Sequence, residues 1–385
     1  MTQTGNIPTV FKFILILLLG GVILMFPVSL PPGAGDWDLQ AYWSSTYLLA
    51  HGQDFSDGVA LGEIEHTLTT RSDPETLYSW FSPIGNVVLL PFTTVPFTTA
   101  VYYWLILNII VLFYSATLIW DNVDSRTWIP LLAVFSFSMT VVSLVFGQIN
   151  TWEVLGLALF LSLNKSNKQY LAGASLVLTT IKPHLVIITL PIIFLDLLRK
   201  KEWKTLAGFF IALGFCFTVL FAFYPPWIQS FLGVITSGMS TVRETPTING
   251  LLVLLGENKI GKLIWLAALI TGILWWFTRG QNWDRRTFID ISLTAGLIVS
   301  PIGWSYDQVM LFFPILSILS WATTGKLPKQ TAKAFVIILI IANLAAYVLR
   351  TFKPSDVWFF WIPFVVLGLY LTGRKQIISS HAASS

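Results

Sequence analysis

The sequence predicts an all-α, polytopic membrane protein, and three observations support this prediction. Of the 385 residues, 55% are hydrophobic and only 11% are charged, whereas soluble domains usually carry about 25% charged residues. Apolar runs long enough to cross a bilayer as helices recur along the chain, with the charged residues near their ends. Lys and Arg are also unequally shared between alternate connections, as expected for loops on opposite sides of a membrane.

Twelve apolar segments are candidates for spanning helices, although some are shorter than the usual length of about 20 residues. They run approximately over 9–30, 98–121, 128–147, 150–163, 170–181, 184–198, 205–224, 261–278, 287–300, 307–323, 334–349 and 357–372. The first could instead be a signal peptide, but it is long and many equal runs follow, so we interpret it as an uncleaved span. Prolines interrupt residues 80–96, which we expect to be re-entrant or interfacial.

The positive charges predict the orientation. With the N-terminus in the cytoplasm, 16 of the 23 Lys and Arg residues lie on the inner side and seven on the outer side. We therefore predict a multi-pass plasma-membrane protein with both termini cytoplasmic and two long outer connections. Within the first connection, the spacing of apolar residues over 38–50 predicts a helix with a partly apolar face. Such a helix would lie in the membrane interface.

Short polar clusters from across the chain meet on the outer side in this topology. They are Gly35–Tyr42, Phe146–Asn150, Ile181–His184, Arg243–Asn249 and Ser300–Gln308. Convergence of remote polar residues on one surface is typical of a binding or catalytic site. The inner loops hold only Lys, Arg and scattered acids, so we expect the site, with its substrates, on the outer face. The net charge of +4 is too scattered to indicate nucleic-acid binding.

Carboxylates are the candidates for proton transfer. We expect Asp38 to act as a general base on a hydroxyl group, with Asp36 as the second candidate, although Asp also commonly caps a helix N-terminus. Glu153 lies one turn beyond Asn150 and would add another carboxylate to the same face. No carboxylate–histidine cluster has the spacing of metal ligands, so we expect neither a metal nor another cofactor.

The few cations of the outer side are candidates for binding a phosphate. Lys182 precedes Pro183 in a turn between two short apolar helices, where it would act as a point charge or simply snorkel. His184 and Arg243 are further candidates, although His184 could equally be a satisfied interfacial histidine. Polar and aromatic residues would contact a sugar or an acceptor, or else satisfy helix ends and line the interface. They are Tyr42, Gln148, Asn150, Asn249, Trp304, Tyr306 and Asp307.

The order and spacing of several motifs resemble glycosyltransferase family 87. The motifs are Asp38-Leu39-Gln40-Ala41-Tyr42, Tyr78-Ser79-Trp80-Phe81-Ser82-Pro83, Gly147-Gln148-Ile149-Asn150, Lys182-Pro183, Asn249-Gly250-Leu251-Leu252 and Ser300-Pro301 with Trp304. Each motif is loose, but together they cover the chain from about 36 to 310. The resemblance implies a GT-C-type fold, and the apolar segments above predict a bundle of about 12 spans in one membrane domain, 1–385. Its parts would be the outer loop 31–97, core helices 98–223, a second outer loop 224–260 and C-terminal helices 261–372.

The resemblance also implies the reaction. A mannose-like hexose would pass from a polyprenyl-phosphate sugar to a hydroxyl of a lipid or glycan acceptor, with inversion at the anomeric carbon. Asp38 matches the catalytic aspartate of the first outer loop. Where such proteins often carry a histidine after the tryptophan of the Ser-Pro segment, this chain has Tyr306 and Asp307.

Two other functions remain open on the sequence. A lipid or solute transporter, or flippase, would also have many spans, but its halves are usually similar and its polar residues lie near mid-bilayer. The halves of this chain differ, and its polar residues gather at one face. A catalytically inactive scaffold for envelope assembly is the other alternative, because the histidine expected near Tyr306 is missing.

Overall fold

The computed structural model describes residues 37–68, 76–120, 126–238, 244–257, 260–352 and 355–384. Within these ranges the regular structure is all helical, and no β-strand occurs. The predicted first span, 9–30, lies outside the described residues. The α-helices are α1 (Trp37–Ala50), α2 (Gly58–Leu68), α3 (Ile84–Leu89), α4 (Phe97–Trp120), α5 (Trp128–Ser136), α6 (Ser138–Val145), α7 (Asn150–Lys165), α8 (Gln169–Leu176), α9 (Thr189–Arg199), α10 (Trp203–Phe223), α11 (Trp227–Gly238), α12 (Ile248–Leu254), α13 (Gly261–Thr278), α14 (Arg285–Val299), α15 (Phe312–Thr323), α16 (Lys329–Thr351) and α17 (Trp361–Ser384).

The chain is an all-α membrane protein, but the prediction of about twelve spans is not confirmed. Among the described residues, four helices are long and apolar enough to cross a membrane: α4, α10, α16 and the segment Asp356–Ser380 that includes α17. The bent pair α5 and α6 would make a fifth. Both α10 and α16 expose large apolar side chains, among them Phe215 and Ile341, which is the surface that lipid would cover.

Several predicted spans are divided in the structure by tighter turns. Residues 170–181 form α8 and the 3-10 helix Val177–Thr180, and 184–198 form the 3-10 helix Pro183–Val186 and α9. The predicted span 307–323 begins as a 3-10 helix, Ser305–Leu311, before α15. Proline removes a backbone donor, and polar side chains satisfy the groups freed at such breaks, so short helices replace one long helix. The breaks carry the polar clusters of the sequence.

Helices α8 and α10 pack closely because each has a glycine at the contact. A Cβ atom on Gly173 would come 1.8 Å from the carbonyl oxygen of Thr205, and one on Gly208 would come 2.1 Å from that of Tyr170. The two backbones therefore approach directly, as small residues allow in membrane helix pairs. Helix α7 packs against α8 on one side and α4 on the other, which completes the core.

Helix α1 lies inside the protein. Nearly every residue from Leu39 to Leu49 is buried, including the polar residues Gln40, Ser44 and Thr46. Helices α2 and α3, together with the 3-10 helix Leu90–Thr94, pack against it. The sequence predicted a helix here, and the structure has one, but it is enclosed on most sides rather than apolar on one face only.

The two long predicted outer connections contact each other. Leu48 and Phe55 from the first pack with Trp227 of the second and with Leu220 near the end of α10. The ring of Phe55 lies 6.2 Å from that of Tyr224, the first residue of the second connection. The apolar stretch Ile84–Thr94 has a length of roughly 16 Å at the rise of an α-helix, which is too short to cross a bilayer. It packs against α1.

Helices α5 and α6 replace the predicted span 128–147 and are bent by 64° at Phe137. The bend frees backbone groups that α16 satisfies. The Ser138 N–H donates to Asn343 Oδ1 at 2.8 Å, and Asn343 Nδ2 donates to the Ser136 carbonyl at 2.9 Å. The hydroxyl of Tyr347 donates to the same carbonyl at 3.1 Å. A break within an apolar segment needs such partners because lipid supplies none.

Candidate active site

Asp38 lies in the first turn of α1 and is the partly exposed member of a buried polar network. Gln148 Nε2 donates a hydrogen bond to its Oδ2, and the Tyr306 hydroxyl also hydrogen bonds the carboxylate. A carboxylate can accept about four hydrogen bonds, so these two contacts leave acceptor positions on Asp38 for the hydroxyl group of a substrate. Asp38 is therefore held in place and remains accessible.

Gln148 connects three parts of the chain. Its Oε1 accepts from the Tyr42 hydroxyl at 2.9 Å and from Lys182 Nζ at 2.9 Å. Two donors at Oε1 fix the orientation of the amide, so Nε2 faces Asp38. Gly147 has a φ of +65°, which turns the chain from α6 into α7 in a conformation that favours glycine. Its carbonyl accepts from the Trp104 indole at 2.8 Å, which fixes the turn that carries Gln148.

Lys182 is buried at the break between two 3-10 helices. Its Nζ lies 3.0 Å from Asp307 Oδ1 and 4.9 Å from the centre of the Tyr306 ring. Its backbone N–H donates to Glu153 Oε1. An ammonium has three N–H groups, and Gln148 and Asp307 take two of them. The sequence did not predict this carboxylate partner for Lys182.

Asp307 is fixed by contacts to both oxygens. Its Oδ2 accepts from the Trp304 N–H at 2.9 Å, and its Oδ1 accepts from Asn150 Nδ2 at 3.3 Å as well as from Lys182. Asn150 also donates to the Tyr306 carbonyl at 2.9 Å, and the Ser143 hydroxyl donates to its Oδ1 at 2.6 Å. The N-terminus of α7 and the 3-10 helix Ser305–Leu311 are thereby joined.

The network gathers more negative than positive charge. Among the residues that the structure describes here, the Asp38 and Asp307 carboxylates lie near one ammonium, that of Lys182, whereas burial raises the pKa of Glu153 well above its usual value and favours its neutral form. Burial, with a smaller contribution from the Asp307 charge, raises the pKa of Asp38 to about 6, although the Lys182 charge and the hydrogen bonds from Tyr306 and Gln148 lower it. Asp38 is therefore mostly a carboxylate near pH 7 but holds a proton readily, which suits a general base.

The structure brings eight of the predicted site residues together. They are Asp38, Tyr42, Gln148, Asn150, Glu153, Lys182, Tyr306 and Asp307. Trp304 stacks on Tyr306, with ring centres 6.3 Å apart. Asn249 lies at another contact, where its Nδ2 donates to the Pro301 carbonyl at 2.8 Å. Asp36 and Arg243, also predicted, lie outside the described residues.

His184 lies next to the network, outside the long apolar helices. Its carbonyl accepts from the Ser300 hydroxyl at 3.2 Å. Burial lowers the pKa of its imidazole to about 4, against the opposing effect of Asp307. The ring is therefore neutral near pH 7 and can offer one N–H to an anion, but no positive charge.

Sequence reasoning missed two contributors to this arrangement. Ser143 holds Asn150, and Asp356 holds Ser305 beside Tyr306. Ser143 lies seven residues before Asn150, across a break, so helix periodicity does not connect them. Asp356 gave a stronger signal, because it is an acidic residue near the end of a predicted span. In the described ranges, no three His, Cys, Asp or Glu residues are placed to hold a metal ion.

Comparison with known proteins identifies relatives by sequence. The chain is 27% identical over 269 residues to an alpha-(1->3)-arabinofuranosyltransferase of Mycolicibacterium smegmatis, a match that covers 62% of this chain and 58% of that protein. The chain thus spans little more than half of that relative's length. No solved structure matches it. The sequence model of glycosyltransferase family 87 matches residues 80–301, which is more than half of the chain. This chain, an all-helical membrane protein, belongs to glycosyltransferase family 87.

Proposed function

We propose that this glycosyltransferase moves a sugar from a polyprenyl-phosphate carrier to an acceptor hydroxyl on the outer face of the membrane, with Asp38 as the general base. The observation that supports it best is the partly exposed Asp38 carboxylate, held by Gln148 and Tyr306 at the edge of a buried network. Its raised pKa fits a group that must accept a proton from a hydroxyl and later lose it.

In the proposed reaction, Asp38 takes the proton of the acceptor hydroxyl while its oxygen forms a bond to the anomeric carbon. The bond from that carbon to the phosphate oxygen breaks, and polyprenyl phosphate leaves with the electron pair. Positive charge develops on the sugar ring between these events. Asp307, and Asp38 until it takes the proton, would stabilise that charge.

The proposed donor phosphate would contact Lys182. Its ammonium keeps one N–H after its bonds to Gln148 and Asp307. A charge-assisted hydrogen bond to a poorly hydrated phosphate contributes about 1.5–3 kcal/mol. His184 would add a neutral donor next to it, and Arg243 stays a further candidate. Tyr42, Trp304, Tyr306 and Asn249 would shape the sugar and acceptor ends.

The transferred sugar has two candidates. The resemblance in motifs favours a mannose-like hexose, whereas the name of the similar mycobacterial protein supports arabinofuranose. Both would arrive on the same type of lipid phosphate, and both would need the same base. The two can therefore be compared in one assay.

The decisive experiment incubates purified protein and a membrane-extract acceptor with radiolabelled polyprenyl-phosphate mannose, polyprenyl-phosphate arabinofuranose or nucleotide sugars. We expect labelled product from a polyprenyl-phosphate sugar only. Asp38→Asn should lose about 10²- to 10⁴-fold in turnover, the usual contribution of a general base, while Asp36→Asn keeps measurable activity.

Three outcomes would contradict the proposal. Turnover of a nucleotide sugar without a lipid carrier would exclude the donor. Movement of an intact lipid across vesicles without transfer would favour a transporter. A folded wild-type chain that is inactive with every donor would favour the inactive scaffold.

A further inference from the structure

The 3-10 helix Ser305–Leu311 carries two side chains of the network, and its first residue is held from outside the network. The Ser305 N–H donates to Asp356 Oδ2 at 2.7 Å, and the Ser305 hydroxyl donates to Asp356 Oδ1 at 2.9 Å. One carboxylate thus fixes both the backbone and the side chain of the residue that precedes Tyr306. Asp356 belongs to the connection between α16 and α17.

Arg350, at the end of α16, fixes that carboxylate in turn. Its Nη1 donates to Asp356 Oδ1 at 3.2 Å, and its Nη2 donates to the Ser305 hydroxyl. The guanidinium lies 4.1 Å from the centre of the Phe359 ring. The Phe359 carbonyl accepts from Gln308 Nε2 at 3.0 Å. The connection between α16 and α17 therefore holds the 3-10 helix at residue 305 and again at residue 308.

Small movements of this 3-10 helix would change the contacts of Asp38. Tyr306 hydrogen bonds Asp38, and Asp307 holds Lys182, whose charge lowers the pKa of Asp38. Because a hydrogen bond weakens steeply beyond about 3.2 Å, a shift of about 1 Å at Ser305 would break these contacts. Asp356 and Arg350 make no hydrogen bond to Asp38 or Lys182, so their hydrogen bonds act on the network through the 3-10 helix that carries Tyr306 and Asp307.

We propose that Asp356 and Arg350 are positioning residues, which set the place of Tyr306 and Asp307 and thereby the basicity of Asp38. This inference rests on the proposed function for its catalytic readout, but the placement itself can be measured without activity. Both residues lie outside the part of the chain that the family model matches, residues 80–301.

The test variant is Asp356→Asn. The amide keeps one acceptor oxygen and replaces the other with an NH₂ group, which must face a donor on Ser305 or Arg350. We expect kcat to fall about ten- to a hundredfold with less than about threefold change in the donor KM. The acidic limb of the pH–rate profile should move to higher pH, because Asp38 loses the contacts that favour its carboxylate form. Arg350→Lys should give a smaller change in the same direction.

The matched control is another arginine–aspartate pair that also holds a serine hydroxyl. Asp290 lies 3.0 Å from Arg286 Nε and accepts from the Ser317 hydroxyl at 2.6 Å. Asp290→Asn should lower thermal stability without moving the acidic limb. Hydrogen exchange of residues 305–311 reports placement directly, and it should speed up at least about tenfold in Asp356→Asn but not in Asp290→Asn.

Unchanged exchange at 305–311 in Asp356→Asn would overturn the positioning role, whatever the activity. An equal shift of the acidic limb in both variants would also overturn it, because the effect would then be general destabilisation. If the wild-type chain transfers no sugar, the proposed function fails, and exchange alone decides the positioning role.

Discussion

At the scale of single residues, the arrangement around Asp38 depends on a balance between burial and contact. Burial favours the protonated carboxyl, while Lys182, Tyr306 and Gln148 favour the carboxylate. The pKa of Asp38 is thus set by neighbours that come from three separate stretches of the chain. Removing any one of them changes the pKa of Asp38 in a direction that can be stated beforehand.

The pH dependence of transfer follows from this balance. Asp38 acts as a base only when it is deprotonated, and its pKa is raised to about 6. Transfer should therefore be full above that pH and fall about tenfold for each unit below it. His184, with a pKa of about 4, is neutral above about pH 5. Initial rates between pH 4.5 and 8 would measure the acidic limb of the pH–rate profile. A rate that does not change down to pH 4.5 would contradict the role of Asp38.

Substitution of Lys182 should affect both the donor and the base. Lys182→Ala removes the proposed phosphate contact, so we expect donor use to weaken about ten- to a hundredfold. Because the Lys182 charge lowers the pKa of Asp38, the acidic limb should also move to higher pH. Lys182→Arg keeps the positive charge, so donor use should weaken less than in Lys182→Ala. The donor KM and the pH–rate profile check these effects.

Lys326→Ala is a suitable control for Lys182, because Lys326 is exposed and lies away from the network. It should behave as wild type. Equal losses in Lys182→Ala and Lys326→Ala would show that a general effect of losing a lysine, rather than a specific contact of Lys182, governs donor use.

At the scale of elements, the close contact of α8 and α10 depends on two glycines. Gly208→Val should force α10 away from the Tyr170 carbonyl, which a Cβ would approach to 2.1 Å. We expect a loss of several degrees in the melting temperature in detergent, as overpacking costs about 1–3 kcal/mol. Gly214→Val, on the same helix, is the control, because nothing lies within 4 Å of its Cβ position. Equal destabilisation of both variants would contradict the packing argument.

The sequence predicted helices and their polar ends better than it predicted their breaks and partners. Polar residues stand out in an apolar chain, so Gln148, Lys182 and Asp307 were visible as candidates. The pairing of Lys182 with Asp307 could not be predicted, because the two residues are 125 positions apart and helix periodicity carries no information at that distance.

The break at Phe137 was missed because neither proline nor glycine occurs there, and its stabilising partner is on α16. The burial of α1 was missed because small polar residues such as Ser44 and Thr46 also pack inside membrane proteins.

At the scale of the whole molecule, the contact between the two long connections bears on the orientation. Phe55 and Tyr224 pack together, so both connections share one end of the molecule, as the proposed outer face requires. Single cysteines at Ser56 and Ser237, in a Cys216→Ser background, should react with an impermeant maleimide in intact cells. A cysteine at Gly325 should react only after permeabilisation. The reverse pattern would overturn the topology and place the site inside the cell.

The bend at Phe137 also imposes an order of events on synthesis. Ser138 finds its partner on Asn343, 205 residues later in the chain, and translation at about 5–20 residues per second needs roughly 10–40 s to make that stretch. During this time the freed backbone groups of Ser136 and Ser138 face water, the insertion machinery or lipid. Helices α5 and α6 can therefore reach their final arrangement only after α16 has entered the membrane. A chain that ends before Asn343 would leave these backbone groups unsatisfied, although the Asp38 network has already been translated and only its supports Arg350 and Asp356 are missing.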